Sequence, residues 1–297
     1  MKHKYPFQSI SVSTKEKQED IRNIKLWLSH QPHIPSISDE FILLFLHSCY
    51  YSSERTKDTI DNYFTVRAQC PDLFRGRDTK AILEQLELYD MMALPTLTPD
   101  NYRIVMYRLR DDDVNKFNYP AALRTFFAVN DLYISEDGLM DGYVVVFDMT
   151  GLNFGYLAKV STQLSLVRNF MVYIQDCHPV RLKAIHVINT YPLIDKILSL
   201  MKPMMHGNLL EMIHLHPTLD TLTEYFPLSL LPADYDGGKT EAVQVHQDHT
   251  RRLVNKYSSW LKDFEQFEAN EKKRVGKARK DLVGAELGGS FKTLSID

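Results

Sequence analysis

"RLKAIHVINTYPLIDKILSLMKPMM" (181–205) is the stretch that decides the fold of this chain. Its first nine residues are mostly aliphatic and show little alternation, which is typical of a strand covered on both faces of a sheet. Pro192 then fits the first turn of a helix, where an N–H would have no intrahelical partner. The predicted helix over 192–204 has few charged side chains, so its apolar face is wider than a surface helix needs.

Strands elsewhere in the chain alternate with helices. "YRIVMYRL" (102–109) and "GYVVVFDM" (142–149) are runs of β-branched and aromatic residues that predict strands. Between them Pro120 opens a predicted helix to about residue 134, and another predicted helix, with one apolar face, runs from 156 to 176. Strands joined by helices of this length predict an α/β fold with a mainly parallel sheet covered by helices.

Helical periodicity dominates the two ends of the chain. Three amphipathic segments lie between residue 15 and Pro71, which stops the third, and Ser38 or Asp39 is the predicted N-cap of the second. Helical spacing of apolar residues returns after Glu241. The sequence therefore predicts a small all-helical N-terminal module over 1–90, an α/β domain over 91–240, and a C-terminal helix and tail over 241–297.

Composition excludes several classes of protein. The 297 residues are 44% hydrophobic and 25% charged, and 35 Lys and Arg against 38 Asp and Glu give a net charge of -3. This balance favours neither nucleic acid nor an anionic membrane as a general partner. The longest apolar runs are far shorter than the roughly 20 residues of a membrane-spanning helix. The first residues do not form a secretory signal, and three widely spaced cysteines predict a reduced, cytoplasmic protein.

Signatures of catalysis are weak in this sequence. "DYDGGKT" (234–240) ends like a phosphate-binding loop, but Ala233 stands where that motif needs a glycine, five residues before Gly238. Asp148 ends a predicted strand, yet no second acid, base or nucleophile is clustered with it. We therefore expect no enzymatic activity and no cofactor.

Two histidine pairs are the candidates for a metal site. His214 and His216 would share one face of a strand, and His246 and His249 would share one face of a helix. Neither pair has a nearby cysteine or a third histidine, so we expect packing or surface histidines and no bound metal.

Apolar residues around the predicted sheet allow two interpretations. They fill a solid core, or they line a cavity in which flexible methionines accommodate a lipid. Periodicity alone does not separate the two. The candidate ligand-binding residues are Phe126, Phe127, Val129, Tyr133, Phe147, Phe154, Leu164, Val167, Phe170, Met171, Ile185, Val187, Leu193, Ile194, Ile197, Leu198, Met201 and Met204.

Four stretches between 142 and 238 occur in a characteristic order: "GYVVVFDMTGLNF", "HPVRLKAIHVINTYPLIDKILSLMKPMM", "EMIHLH" and "LTEYFPLSLLPADYDGG". The FD-x-x-G turn, the IH-x-IN strand end and the LP-x-x-Y-x-GG turn are individually weak and jointly specific. Together they resemble the CRAL-TRIO lipid-binding family, in particular its tocopherol and retinaldehyde carriers. Residues 38–74 are similar to the helical module that precedes this domain, and "GSFKTLSID" (289–297) is similar to the tail of arthropod members.

The resemblance implies a non-enzymatic carrier. Its sheet and helices would enclose a hydrophobic cavity for one tocopherol-, retinoid- or carotenoid-like ligand, beneath a mobile helix that matches 192–204. The carrier would act at the cytoplasmic surface of membranes and bind no nucleic acid. The alternatives are a phosphatidylinositol or phospholipid exchanger or sensor of the same fold, a protein-interaction module with a filled core and, least favoured, an enzyme.

Basic side chains near the mobile helix hold phosphoinositide head groups in some members of this family. Arg181 and Lys183 match two of them, and i, i+2 spacing on a strand would aim both charges in one direction. The alternative is that both are solvated charges at a strand entry. The chain has Asn208, Met212 and Cys49 where the family has basic residues.

Overall fold

A five-stranded sheet is the centre of the fold, and the computed structural model describes residues 15–276 and 282–283. The strands are β1 Tyr89–Ala93, β2 Arg103–Leu109, β3 Tyr143–Asp148, β4 Leu182–Ile188 and β5 Ile213–His216. They pair in numerical order. β1 pairs with β2 antiparallel and every other neighbouring pair is parallel. The predicted α/β fold with a mainly parallel sheet is therefore confirmed, although neither β1 nor β5 is predicted from the sequence.

The two faces of the sheet bury different residues. On one face Ile104, Val144 and Ile188 pack against Leu222 and Phe226 from the segment that follows β5. Because successive side chains of a strand point to opposite faces, the residues between them turn to the other side of the sheet. That second face carries the candidate site.

Five helices form the N-terminal module: α1 Lys15–Leu28, α2 Asp39–Ser48, α3 Ser53–Gln69, α4 Pro71–Phe74 and α5 Thr79–Gln85. Ser38 is the N-cap of α2, because its side chain accepts a hydrogen bond from the backbone N–H of Phe41 at 3.3 Å. Aromatic side chains of α2 and α3 meet in the core, where the Phe45 and Tyr63 ring centroids are 5.2 Å apart. The predicted all-helical module is confirmed.

Four helices cover the second face of the sheet: α6 Tyr119–Asp137, α7 Phe154–Ser161, α8 Leu164–Asp176 and α9 Leu193–Met201. The prediction of a single helix over 156–176 is wrong, because the chain forms two separate helices there, α7 and α8. At the break, the hydroxyls of Ser161 and Thr162 each donate to a backbone carbonyl of α7 at 2.8 Å. Such local bonds compete with continued helical pairing, and Gln163 leaves the helical region with φ -128° and ψ 45°.

The C-terminal segment also differs from one continuous helix. It forms α10 Ala242–Val245, a π-helical turn over His246–Arg251, α11 Arg252–Lys256 and α12 Ser258–Phe264. The π turn brings two side chains to one backbone position of β1: His246 Nδ1 lies 3.0 Å from the carbonyl oxygen of Met91, and the Thr250 hydroxyl donates to the same oxygen at 2.6 Å. This contact explains the irregularity. The arthropod-like tail, 289–297, lies outside the described residues.

Candidate ligand-binding cavity

A cavity of about 450 Å³ lies between the second face of the sheet and helices α6 to α9. The three central strands line it. Alternate residues do so on β2 (Val105, Tyr107 and Leu109) and on β3 (Tyr143, Val145 and Phe147), whereas β4 contributes Leu182, Ile185 and Val187, with an irregular register between the first two. The residues of β3 and its end that line the cavity extend from Tyr143 to Met149. At the rise per residue of a β-strand, this stretch is about 20 Å long. The cavity therefore runs the full length of the strands.

Twelve of the eighteen candidate residues line this cavity. They are Phe126, Tyr133, Phe147, Val167, Phe170, Met171, Ile185, Val187, Ile194, Ile197, Leu198 and Met201. Their spacing on α6, α8, β4 and α9 matches the apolar stripe of each element. Their contact with a ligand stays a prediction.

Six candidates lie outside the lining of the cavity. Phe127 and Val129 are on the side of α6 that packs into the core of the N-terminal module, where the Phe127 ring lies 5.1 Å from that of Phe74. Leu193 is the buried first residue of α9, and Leu164 is half-buried where α8 begins. Met204 packs against Val167, Met171 and Leu209 without lining the cavity, and Phe154 is 63% exposed.

Several lining residues are absent from the sequence-based set. Tyr107 and Tyr143 lie on strands whose alternation could have identified them. Tyr119, His178 and Leu209 come from helix starts and connections, where periodicity carries no signal about orientation. These positions follow only from the tertiary arrangement.

Asp148 is the one carboxylate among the described residues that line the cavity, and its hydrogen bonds are filled. Its Oδ1 atom accepts from the Thr150 hydroxyl at 2.7 Å and from Asn189 Nδ2 at 2.9 Å, while Oδ2 accepts from the Tyr235 hydroxyl at 2.6 Å. These bonds fix the turns that follow β3 and β4. Asp148 therefore serves the architecture of the strand ends, and its oxygens are not left available to act as a base.

Helix α9 covers the cavity with one face. Ile194, Ile197, Leu198 and Met201 line the cavity, whereas Ser199 on the same helix is exposed. A 3-10 turn over Lys202–Met204 continues α9 toward the end of α8. The helix thus lies between ligand space and solvent.

Polar contacts hold the segment that follows α9 against the end of α8. Gln175 Nε2 donates to the backbone oxygen of Met204 at 3.0 Å, and its Oε1 accepts from the backbone N–H of His206 at 2.9 Å. The His206 ring adds a contact of 3.2 Å to Asp176, with both side chains partly exposed. We call these contacts the Gln175 latch. The same end of α9 is also held by apolar contacts, since Met201, Met204 and Met205 pack with Val167, Met171 and Leu209.

No group of three or more His, Cys, Asp or Glu residues in the described part of the chain could hold a metal ion. His214 and His216 do lie on β5, and His216 Nε2 is 2.9 Å from His186 Nδ1. Among residues 15–276 and 282–283, no helix is both long and apolar enough to cross a bilayer.

Comparison with known proteins identifies the two parts of the chain. The profile of the CRAL/TRIO domain matches residues 90–237, and a profile described as Pinta-like, UBA domain matches residues 13–82. The chain belongs to the CRAL/TRIO family. The domain that contains the sheet and the cavity is therefore one found in a family of lipid-binding and transfer proteins.

Named CRAL/TRIO relatives share about a quarter of their residues with this chain. The alpha-tocopherol transfer protein-like protein of Homo sapiens is 28% identical over 207 residues, which are 68% of this chain and 59% of that protein. Clavesin-2 of Homo sapiens is 22% identical over 264 residues, 83% of this chain and 80% of that protein. The crystal structure of Sfh5 superposes with a TM-score of 0.50 and 9% identity, covering 84% of this chain and 98% of Sfh5, which supports the fold alone.

Arg181 and Lys183, the predicted phosphoinositide-binding pair of this CRAL/TRIO chain, both contact the N-terminal module. Arg181 Nε donates to the backbone oxygen of His47 at 2.7 Å, and its guanidinium lies 4.2 Å from the centre of the Tyr50 ring. Lys183 Nζ donates to the Tyr50 hydroxyl at 3.3 Å. Tyr50 has a left-handed φ of 53°, so the tight turn after α2 brings its ring between both charges. Phosphoinositide binding stays a prediction, and the contacts themselves clamp the N-terminal module to the start of β4.

Proposed function

We propose that this protein is a non-enzymatic cytoplasmic carrier that binds one small hydrophobic ligand beneath α9 and transfers it between membranes. The observation that carries the proposal is the cavity of about 450 Å³, which lies within the size range of ligand sites and is lined almost entirely by apolar side chains. A tocopherol-, retinoid- or carotenoid-like molecule fits this chemistry. The names of the tocopherol transfer-like relatives agree with it.

Contact with a membrane gives a physical reason for the carrier to release its ligand. Ile197, Leu198 and Met201 are half-buried on α9, so the helix already presents apolar surface close to solvent. At a bilayer the same surface exchanges contact with the ligand for contact with lipid, and opening then requires no chemical energy. The carrier acts as a peripheral protein in this scheme, with the membrane as a transient partner.

Phospholipid or phosphatidylinositol exchange is the second candidate function. Arg181 and Lys183 favour it, because basic side chains attract anionic head groups. Against it, none of the described residues that line the cavity is Lys or Arg. A phosphate drawn into that lining would lose its hydration without a cationic partner, so we place any head group outside the cavity.

Lipid extraction from the purified protein and two variants of α9 tests the carrier function. Organic extraction with mass spectrometry is expected to recover a neutral lipophile from the parent protein and from Ser199→Asp, whose new carboxylate faces solvent. Met201→Asp places a carboxylate against the ligand and is expected to lose it, since an unpaired buried charge is strongly disfavoured.

Thermal unfolding of both variants separates loss of ligand from loss of fold. An empty parent protein that takes up no lipophile from vesicles would contradict the carrier function. Phospholipid as the sole extracted species would favour exchange instead. If Met201→Asp unfolds outright, α9 is a fixed core helix and not a cover.

A further inference from the structure

His178 is a polar side chain in an otherwise apolar part of the cavity wall. It lies in the connection between α8 and β4, and its backbone is fixed, since its N–H donates to the Tyr173 oxygen at 2.9 Å and its carbonyl accepts from the Val180 N–H at 2.8 Å. The ring centroid lies 5.7 Å from that of Tyr173. The connection therefore holds the imidazole at one place on the wall.

Nitrogen Nε2 of His178 is buried and makes no hydrogen bond within the described part of the chain. Burial lowers the pKa of His178 to about 4, against the smaller opposing effect of Asp131, so the ring is neutral at pH 7. A buried polar atom without a partner is costly to the fold. Because no hydrogen bond fixes Nε2, the ring can turn about its Cβ–Cγ bond to present this atom to a ligand.

Three other polar side chains of the wall already have partners. The hydroxyl of Tyr107 donates to Asn130 at 2.8 Å, and that of Tyr143 donates to Asp137 at 3.2 Å. The Tyr133 hydroxyl lies 2.6 Å from that of Thr250. These three groups are occupied within the protein. The hydroxyls of Tyr89 and Tyr119 and the ring of His178 are left to pair with a ligand, and among the described lining residues only His178 has a buried polar atom without a partner.

His178 also lies at one end of the cavity. It precedes β4 in the chain, and Val180 beside it lines the same region, whereas Asp148 and Met149 line the wall at the opposite, carboxyl end of the parallel strands. A ligand with its polar group at His178 can therefore extend its apolar part over about 20 Å toward the other end.

We propose that His178 is the polar anchor of the cavity and takes the single uncharged oxygen, a hydroxyl or a carbonyl, of an otherwise apolar ligand. The inference rests on the proposed carrier function. A neutral imidazole is both a donor and an acceptor, so it pairs with an alcohol or a carbonyl oxygen. A carboxylate is rejected, because the wall has no Lys or Arg among the described residues to compensate its charge.

Binding of two fluorescent probes tests the anchor. Retinol carries one hydroxyl, and diphenylhexatriene is an apolar rod without oxygen. The full-length His178→Phe variant is expected to bind retinol about tenfold more weakly, the value of one hydrogen bond left unmade in an apolar site, and to bind diphenylhexatriene as well as the parent. His178→Gln, which keeps a donor and an acceptor, is expected to restore much of the retinol affinity. His30→Phe makes the same change at an exposed position and serves as the control.

Outcomes of this experiment separate the anchor from the carrier function. Diphenylhexatriene binding by the parent tests the cavity itself, so its absence counts against the carrier and not against His178 alone. Equal loss of both probes in His178→Phe, or retinol affinity unchanged, overturns the anchor. Loss of the retinol preference in Tyr119→Phe, with His178→Phe unaffected, overturns the anchor at His178 and moves it to Tyr119. Tighter binding of retinoic acid than of retinol overturns the restriction to uncharged oxygens.

Discussion

At the scale of single residues, Arg181 connects the two parts of the chain. Its guanidinium makes a hydrogen bond to the end of α2 and stacks on Tyr50, so shape matters as much as charge. We expect Arg181→Lys to lower the free energy of unfolding by about 1 kcal/mol, because an ammonium group cannot make both contacts at once. Chemical denaturation of the parent and Arg181→Lys measures this difference.

Vesicle binding of the same variants separates the clamp from head-group attraction. Arg181→Lys keeps the charge, so binding to phosphoinositide-containing vesicles should survive if charge alone attracts the head group, whereas Arg181→Ala should weaken it by about 1 kcal/mol. Equal vesicle binding by all three proteins leaves the clamp as the role of Arg181. Unchanged stability in Arg181→Lys contradicts the clamp.

At the scale of elements, we expect the Gln175 latch to slow the departure of α9 from the cavity that the proposed carrier function requires. Replacing Gln175 by Leu keeps the volume and removes two hydrogen bonds to the segment after α9, so ligand release should become about tenfold faster. Gln163→Leu is the matched control, because the Gln163 side chain bonds only to Lys159 within the preceding helix. Release of retinol to acceptor vesicles, followed by fluorescence, gives the rate. Equal rates in both variants would show that apolar contacts alone hold the cover.

The five strands differ in how well the sequence predicts them. Strands β2, β3 and β4 are predictable because runs of β-branched residues have few alternatives. β1 has no such run, since its five residues include Asp90, a buried carboxylate that pairs with Arg108 at 2.8 Å across the strands. β5 has only four residues, two of them histidines, which is too short for periodicity to be read.

The cavity itself could be predicted only in part. Periodicity identifies the face of α8 that carries Val167 and Met171, because it depends on the helix alone. It does not give the distance between that face and the sheet, which depends on how far α6 and α8 stand from β3. Phe127 illustrates the limit, since it is apolar on the right helix and yet packs toward Phe74 of the N-terminal module. The resemblance to a carrier family supplied what periodicity lacked.

At the scale of the whole molecule, buried histidines set the response to acid. Burial is the main cause that lowers the pKa of His47, His178, His186, His216, His246 and His249. Each binds its proton more readily in the unfolded chain than in the native protein. Stability that is present above the unfolded pKa of about 6.5 is therefore lost progressively as the pH falls below it.

Among these histidines, His186 is the one for which we expect the largest loss of stability in acid. It is 1% exposed on the sheet face opposite the cavity, and burial, followed by the nearby His216 and His214, lowers its pKa to about 3. Between pH 6.5 and pH 5 this histidine goes from about half protonated to almost fully protonated in the unfolded chain, whereas in the native protein it stays almost entirely neutral. This difference lowers the free energy of unfolding by about 1.5 kcal/mol. His186→Gln, which stays neutral, should therefore show a flatter dependence of stability on pH.

Urea denaturation of the parent and His186→Gln at pH 7 and pH 5 measures this effect, with His30→Gln as the control at an exposed position. The difference between the two pH values should be smaller in His186→Gln than in the parent, whatever the absolute stability of the variant. The remaining buried histidines keep some acid sensitivity, so the dependence should flatten and not vanish. Paired carboxylates such as Glu271, whose pKa is lowered first by its hydrogen bond to Arg274, lose their contribution only at lower pH. An identical pH dependence in His186→Gln and the parent would mean that His186 is protonated in the native protein, and that β4 and β5 tolerate a charge between them.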